Sequence, residues 1–182
     1  MLIVCDKDYK VSGKLKIKEG EEPNPNDEEV LIRVKAFGIN RPDLLQKKGL
    51  YPPPASASKI LGLECSGFVE KTGKKVKGIR EGDTVCALTA GGAYAEKVSV
   101  HQWHCFNIPK NLTFSEAAVL PEVFMTCWAN IFELGFLKQG DSILIHGGNS
   151  GIGCAAIQLA KWAGATILCS VRTEEKKLFC EA

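Results

Sequence analysis

Ser142-Ile143-Leu144-Ile145-His146 runs without a break into Gly147-Gly148-Asn149-Ser150-Gly151-Ile152-Gly153, and Cys154-Ala155-Ala156-Ile157-Gln158-Leu159-Ala160-Lys161-Trp162-Ala163 follows at once. An apolar run of strand length, a glycine turn and a stretch with small and apolar residues at helical spacing read as strand, turn and helix. Gly164 stops the helix, and Ala165-Thr166-Ile167-Leu168-Cys169-Ser170-Val171 reads as a second strand. Two strands joined through a helix make a βαβ unit, so this sheet is expected to be parallel.

A turn of this kind aims backbone N–H groups and the positive end of a helix at one spot, which suits a pyrophosphate. The dinucleotide pattern Gly-x-Gly-x-x-Gly falls on Gly148, Ser150 and Gly153, with serine in place of the middle glycine. Gly148, Ser150, Gly151, Ile152 and Gly153 are therefore the candidate cofactor contacts, against the alternative of a turn that binds nothing. The end of the second strand selects the cofactor, because an acid there accepts from a ribose 2′-OH and repels a 2′-phosphate. Here Arg172 stands nearest that place and Lys176 follows a turn later, so the expectation is NADPH, its 2′-phosphate paired by two cations. The competing reading makes Glu174, Glu175, Lys176 and Lys177 the solvated first turns of another helix.

Upstream the cadence differs. Leu2-Ile3-Val4, Leu15-Lys16-Ile17, Val30-Leu31-Ile32-Arg33-Val34, Gly67-Phe68-Val69, Thr84-Val85-Cys86-Ala87-Leu88 and Lys97-Val98-Ser99-Val100 are short apolar runs separated by turn residues, as in an antiparallel β domain. One short helix is expected over Asn40–Gly49, with Asn40 as N-cap, Pro42 in the first turn and Gly49 closing it. Thr113-Phe114-Ser115-Glu116 is a capping box, and helix follows from Glu116 through Leu134 with a break near Leu120-Pro121. The fold class is thus α/β plus β: a mostly antiparallel β domain over residues 1–122, then a partial dinucleotide-binding domain over 123–182.

The 182 residues are 45% hydrophobic and 24% charged, within the range of globular proteins, and a net charge of +2 supplies no field to attract nucleic acid or an anionic membrane. Every apolar stretch is expected to be broken before the roughly 20 residues that span a bilayer. The amino terminus reaches Asp6-Lys7-Asp8 too soon for a signal peptide. The eight cysteines stand one at a time, none at zinc-knuckle or redox-pair spacing, and most have apolar neighbours, as in Val85-Cys86-Ala87 and Leu168-Cys169. They read as small buried hydrophobes in a reducing compartment, and the expected location is cytoplasmic.

Taken in order, the motifs resemble the medium-chain dehydrogenase/reductase superfamily. Gly62-Leu63-Glu64-Cys65-Ser66-Gly67-Phe68-Val69, Gly82-Asp83-Thr84-Val85, Gly91-Gly92-Ala93-Tyr94-Ala95-Glu96 and Thr126-Cys127-Trp128 fall at that family's spacing. Asn40-Arg41-Pro42-Asp43-Leu44, Tyr51-Pro52-Pro53-Pro54 and Ser150 are most similar to its zinc-free, p53-inducible quinone oxidoreductase-like branch. The resemblance implies a GroES-like β domain followed by the first βαβ unit of an incomplete Rossmann domain. Zinc-dependent relatives carry Cys and His where this chain has Asn40 and Leu63, so no metal is expected.

What the resemblance implies chemically is hydride transfer from NADPH to a quinone or an activated alkene, as in enoyl reductase domains, the cofactor carrying the hard step. It assigns Tyr51 a place beside the nicotinamide as a neutral donor to the acceptor oxygen, and Asn40 a place in the cleft. Packing against Pro52–Pro54 and capping of the helix are their alternative duties. Asp43 either orients Tyr51 or caps the same helix, with the cap the expected duty. Thr126 resembles the residue that touches the cofactor, a core threonine being the alternative, and Glu64 is expected to be structural. The full-length family is expected to form homo-oligomers. A complete domain of this type needs two βαβαβ halves, so the chain is expected to be a C-terminally truncated form. The alternative class is a non-enzymatic binding module that needs a protein partner over its open sheet. RNA is disfavoured by the balanced charge.

Overall fold

A computed structural model describes residues 1–5 and 14–181. Asp6, Lys7 and Asp8, on which the reading against a signal peptide turns, lie outside the described residues. The chain forms two compact units, Met1–Pro121 and Glu122–Ala182.

In the first unit, β1 (Leu2–Cys5) and β2 (Lys16–Glu19) form an antiparallel pair. β3 (Glu29–Phe37), β4 (Glu64–Thr72), β5 (Thr84–Leu88), β6 (Lys97–His101) and β7 (Cys105–Asn107) form an antiparallel sheet in the order β6-β3-β4-β5-β7. Six runs read from the sequence as strands lie in β1 to β6, although Leu15 stands just outside β2. β7 was not anticipated, because three residues carry too little alternation to register as a strand. Val30, Leu31 and Ile32 are buried consecutively in β3, with a register shift between Leu31 and Ile32. Burial of each contributes about 1.5–3 kcal/mol. Between β3 and β4, α1 (Arg41–Lys47) starts at the N-cap Asn40 with Pro42 in its first turn; after β7, α2 (Phe114–Ala117) starts from the Thr113–Glu116 capping box.

The chain enters the second unit through α3 (Pro121–Trp128), which continues as a π-helical segment over Ala129–Leu134. Pro121 has no N–H to give to the preceding turn, which accounts for the break between α2 and α3. Contrary to the expectation from sequence, Phe114–Leu134 is long and apolar enough by length and composition to cross a membrane. Packing accounts for part of its apolar character: Cys127 and Ile131 are buried with Ile145 and Ala155 in the core of this unit, whereas Val119, Trp128 and Leu134 are exposed.

β8 (Ser142–His146), α4 (Gly151–Trp162) and β9 (Thr166–Ser170) form the βαβ unit, the two strands parallel and paired from Ser142–Thr166 to His146–Ser170. α5 (Glu174–Glu181) follows. Gly164 ends α4 with φ of 74°, a conformation glycine adopts without steric cost. Ala155, Ala156 and Ala160 are the buried face of α4, and Ile143, Ile145 and Ile167 pack with them. The alternate side chains, Leu144 and Leu168, are exposed on the other face of the two-stranded sheet. The same strand corrects the reading of the cysteines. Cys5, Cys65, Cys86 and Cys127 are buried, but Cys169 is exposed despite its apolar neighbours.

Candidate functional site

In the second unit the site is built by the end of β8, the glycine turn, the start of α4 and the end of β9. Gly147 turns the chain with φ of 72°, and its N–H donates to the Ser170 carbonyl at 2.8 Å, which ties the turn to the end of β9. Ser150 is the N-cap of α4, its Oγ accepting from the Gly153 N–H at 3.0 Å. That bond satisfies one of the donors a helix start leaves open, and the N–H groups of Gly151 and Ile152 in the first turn have no intrahelical acceptor. Gly153 is required by closeness: a Cβ there would strike the carbonyl oxygens of Gly147 and Gly148.

A cleft of about 430 Å³ opens over this turn, lined by Gly147, Asn149, Ser150, Ser170, Val171, Arg172 and Lys176. The structure thus brings Ser150, Arg172 and Lys176 together. Lys177 pairs with Glu174 at 3.0 Å, whereas no ion pair is formed by Arg172 or Lys176 among the described residues. Two cations without an ion-pair partner among the described residues, beside open backbone donors, are groups that can attract an anion. Gly148, Gly151, Ile152 and Gly153 frame the turn without lining the cleft. Gly148 instead faces inward, where a Cβ would meet the sulfurs of Cys169 and Cys180. Thr126, on α3, is not among the residues lining the cleft, and its carbonyl accepts from Asn130 Nδ2 at 2.8 Å, while the adjacent Cys127 donates to the Ile152 carbonyl at 3.3 Å. Asn149 and Ser170 were not among the candidates. Ser170 is held by His146, whose Nδ1 is 2.8 Å from its Oγ. A polar residue closing each strand was the available signal.

The first unit places the other candidates. Asp43 is buried, its Oδ2 accepting from the Asn40 N–H at 2.7 Å and from the Tyr94 hydroxyl at 3.0 Å, its Oδ1 from the Gly62 N–H at 3.2 Å. It therefore caps α1 as expected, but the tyrosine it engages is Tyr94 and not Tyr51. Burial, then the facing Asp43 carboxyl, push the Tyr94 phenol well above its ordinary range. Asn40 is half-buried, and its Nδ2 donates to Glu64 Oε1 at 2.7 Å, so Glu64 orients the amide. Gly38 leaves room for that carboxyl, since a Cβ there would strike it. Tyr51 is exposed. No group of three or more His, Cys, Asp or Glu side chains among the described residues is placed to hold a metal.

With this geometry in hand, comparison with known proteins gives concordant matches. Residues 26–110 match the alcohol dehydrogenase GroES-like domain family. Over 146 residues the chain is 40% identical to the synaptic vesicle membrane protein VAT-1 homolog-like protein of Mus musculus, a match covering 80% of this chain and 35% of that protein. Among solved structures it is similar to a quinone oxidoreductase of Pseudomonas syringae, at TM-score 0.85 and 30% identity over 100% of this chain and 56% of the other. It is also similar to the Escherichia coli quinone oxidoreductase complexed with NADPH, at TM-score 0.84 and 30% identity over 99% of this chain and 55% of the other. The chain spans about a third of the mouse protein and just over half of each bacterial enzyme.

Proposed function

We propose, on the premise that this chain belongs to the medium-chain dehydrogenase/reductase superfamily and carries its alcohol dehydrogenase GroES-like domain, that it is the NADPH-binding part of an oxidoreductase reducing quinones or activated alkenes without a metal. The observation that carries this reading is the cleft in which Arg172 and Lys176, neither with an acidic partner among the described residues, flank the glycine turn.

The residues fit the cofactor. The N–H groups of Gly151 and Ile152 would hold its pyrophosphate, Ser150 would donate its hydroxyl proton to the same group, and Arg172 and Lys176 would pair its 2′-phosphate. Bound there, NADPH supplies the hydride. In the first unit Tyr51 presents a phenol able to donate to an acceptor oxygen, and Asn40 presents an amide whose orientation Glu64 fixes. Asp43 is a positioning residue: it holds the Asn40 backbone, the Gly62 N–H and Tyr94 together. A metal is left out because Asn40 and Leu63 offer an amide and an aliphatic chain where zinc needs thiolate and imidazole. A cytoplasmic location is part of the proposal.

The test is oxidation of NADPH followed by its absorbance, with and without a 1,4-quinone or an enone. Acceptor-dependent loss that falls in Tyr51→Phe and Asn40→Ala supports the reading, and no turnover by NADPH-saturated protein overturns the catalytic part. The exposed face of Leu144 and Leu168 favours a second reading, a binding module covered by another protein. That reading predicts a stable complex and no acceptor-dependent oxidation.

A further inference from the structure

Beneath the glycine turn three thiols from three elements converge: Cys154 on α4, Cys169 on β9 and Cys180 on α5. The point at which a Cβ on Gly148 would stand is 3.0 Å from the Cys169 sulfur and 3.0 Å from the Cys180 sulfur, so those two sulfurs are separated by at most twice that distance. The absent side chain of Gly148 is what lets them approach. The third thiol is engaged by the same residue, Cys154 Sγ donating to the Gly148 carbonyl at 3.8 Å, and it too lies within electrostatic reach of Cys180. Cys169 is exposed and Cys180 half-buried, so both can be reached by a small oxidant, and all eight cysteines are free thiols.

We infer that Cys169 and Cys180 are a thiol–disulfide modification site, closed by exchange with a low-molecular-weight disulfide such as oxidised glutathione. In the first step one thiolate attacks the small disulfide, forming a mixed disulfide and releasing one thiol. In the second, the other thiolate attacks the protein sulfur, the Cys169–Cys180 bond forms and a second small thiol leaves. The protein loses two protons and two electrons, and the small disulfide gains them. Rotation of the two side chains about their Cα–Cβ bonds has to bring the sulfurs to bonding distance. Burial first, and then the neighbouring Cys180 sulfur, push the Cys169 thiol above its ordinary range, so Cys169 stays protonated near neutral pH and attacks slowly.

The bridge would enclose Ser170, Val171, Arg172 and Lys176, which are four of the residues lining the cleft. Closing that loop restricts the segment, which couples the oxidation state of the pair to ligand binding. This consequence, unlike the bridge itself, rests on the cleft being the NADPH site.

The experiment is to incubate the 182-residue chain with oxidised glutathione, alkylate the remaining thiols and map tryptic peptides by mass. The expected result is one peptide pair joined through Cys169 and Cys180, lighter by two hydrogens, with two fewer alkylated thiols. Cys154→Ser keeps the bridge, Cys169→Ser leaves Cys180 as a mixed disulfide, and Gly148→Ala, which puts a methyl between the sulfurs, suppresses closure. A bridge through Cys154, stable mixed disulfides on both cysteines without closure, or the same bridge formed equally in denaturant would overturn the inference. A bridge that forms without changing NADPH affinity leaves the thiol pair standing and counts against the cleft as the cofactor site.

Discussion

The Tyr94 hydroxyl donates to Asp43 Oδ2 at 3.0 Å, joining a loop residue ahead of β6 to the first turn of α1 across 51 positions of chain. Both groups are buried, and the same carboxyl also accepts from the Asn40 and Gly62 N–H groups. Tyr94→Phe is expected to destabilise the first unit by about 1–3 kcal/mol, the cost of leaving a buried acceptor short of a donor. Asp43→Ala, which orphans three donors, is expected to cost more. Urea unfolding of the variants measures both, and equal stability of wild type and Tyr94→Phe would show that the hydroxyl contributes nothing.

Alkaline pH is expected to weaken the same unit. Burial raises the Cys65 and Cys86 thiols and the Tyr94 phenol, and pushes Cys105 up to about 12. In the unfolded chain thiols ionise near about 8.5 and phenols near about 10, so above those values the unfolded state binds fewer protons than the folded one. The stability these groups contribute is complete below about pH 8.5. It falls as pH climbs from there toward the raised folded values. Unfolding curves between neutral pH and pH 10.5 test this, and Cys65→Ala is expected to flatten the slope. A stability that rises over that interval would contradict it.

The glycine turn is expected to tolerate substitution unevenly. Gly153→Ala sets a methyl against the Gly147 and Gly148 carbonyls, so a loss of about 1–3 kcal/mol or more from overpacking is expected, with loss of NADPH binding. Ser150→Ala removes the cap on the Gly153 N–H and is expected to cost about 1 kcal/mol. Circular dichroism melts rank the two variants, and a Ser150→Ala chain less stable than Gly153→Ala would reverse the account.

Sequence was informative wherever the signal is local. The Thr113–Glu116 box, the Asn40 cap of α1 and the strand–turn–helix of residues 142–163 depend on residues a few positions apart, and they stand in the structure where the spacing puts them. Pairings over long separations were not legible. Nothing near Asp43 announces Tyr94: the local cap on α1 was legible, whereas a tyrosine 51 positions away was not. Ser170 reaches the cleft because β9 lies beside β8, a consequence of the parallel pairing rather than of its chain neighbours. The convergence of Cys169 and Cys180 on Gly148 is of the same kind, since cysteines spaced singly along a chain give no sign of meeting.

The central claim is that Arg172 and Lys176 make the cleft at the glycine turn a site for NADPH. Fluorescence titration of the chain with NADPH and, separately, NADH tests it most directly, repeated on Arg172→Ala and Lys176→Ala. The account predicts saturable binding of NADPH well ahead of NADH. Each substitution is expected to weaken NADPH about 10- to 100-fold, the worth of one charge-assisted bond, while leaving NADH little changed. Equal affinity for the two cofactors, or no NADPH binding by a folded and soluble chain, would contradict it.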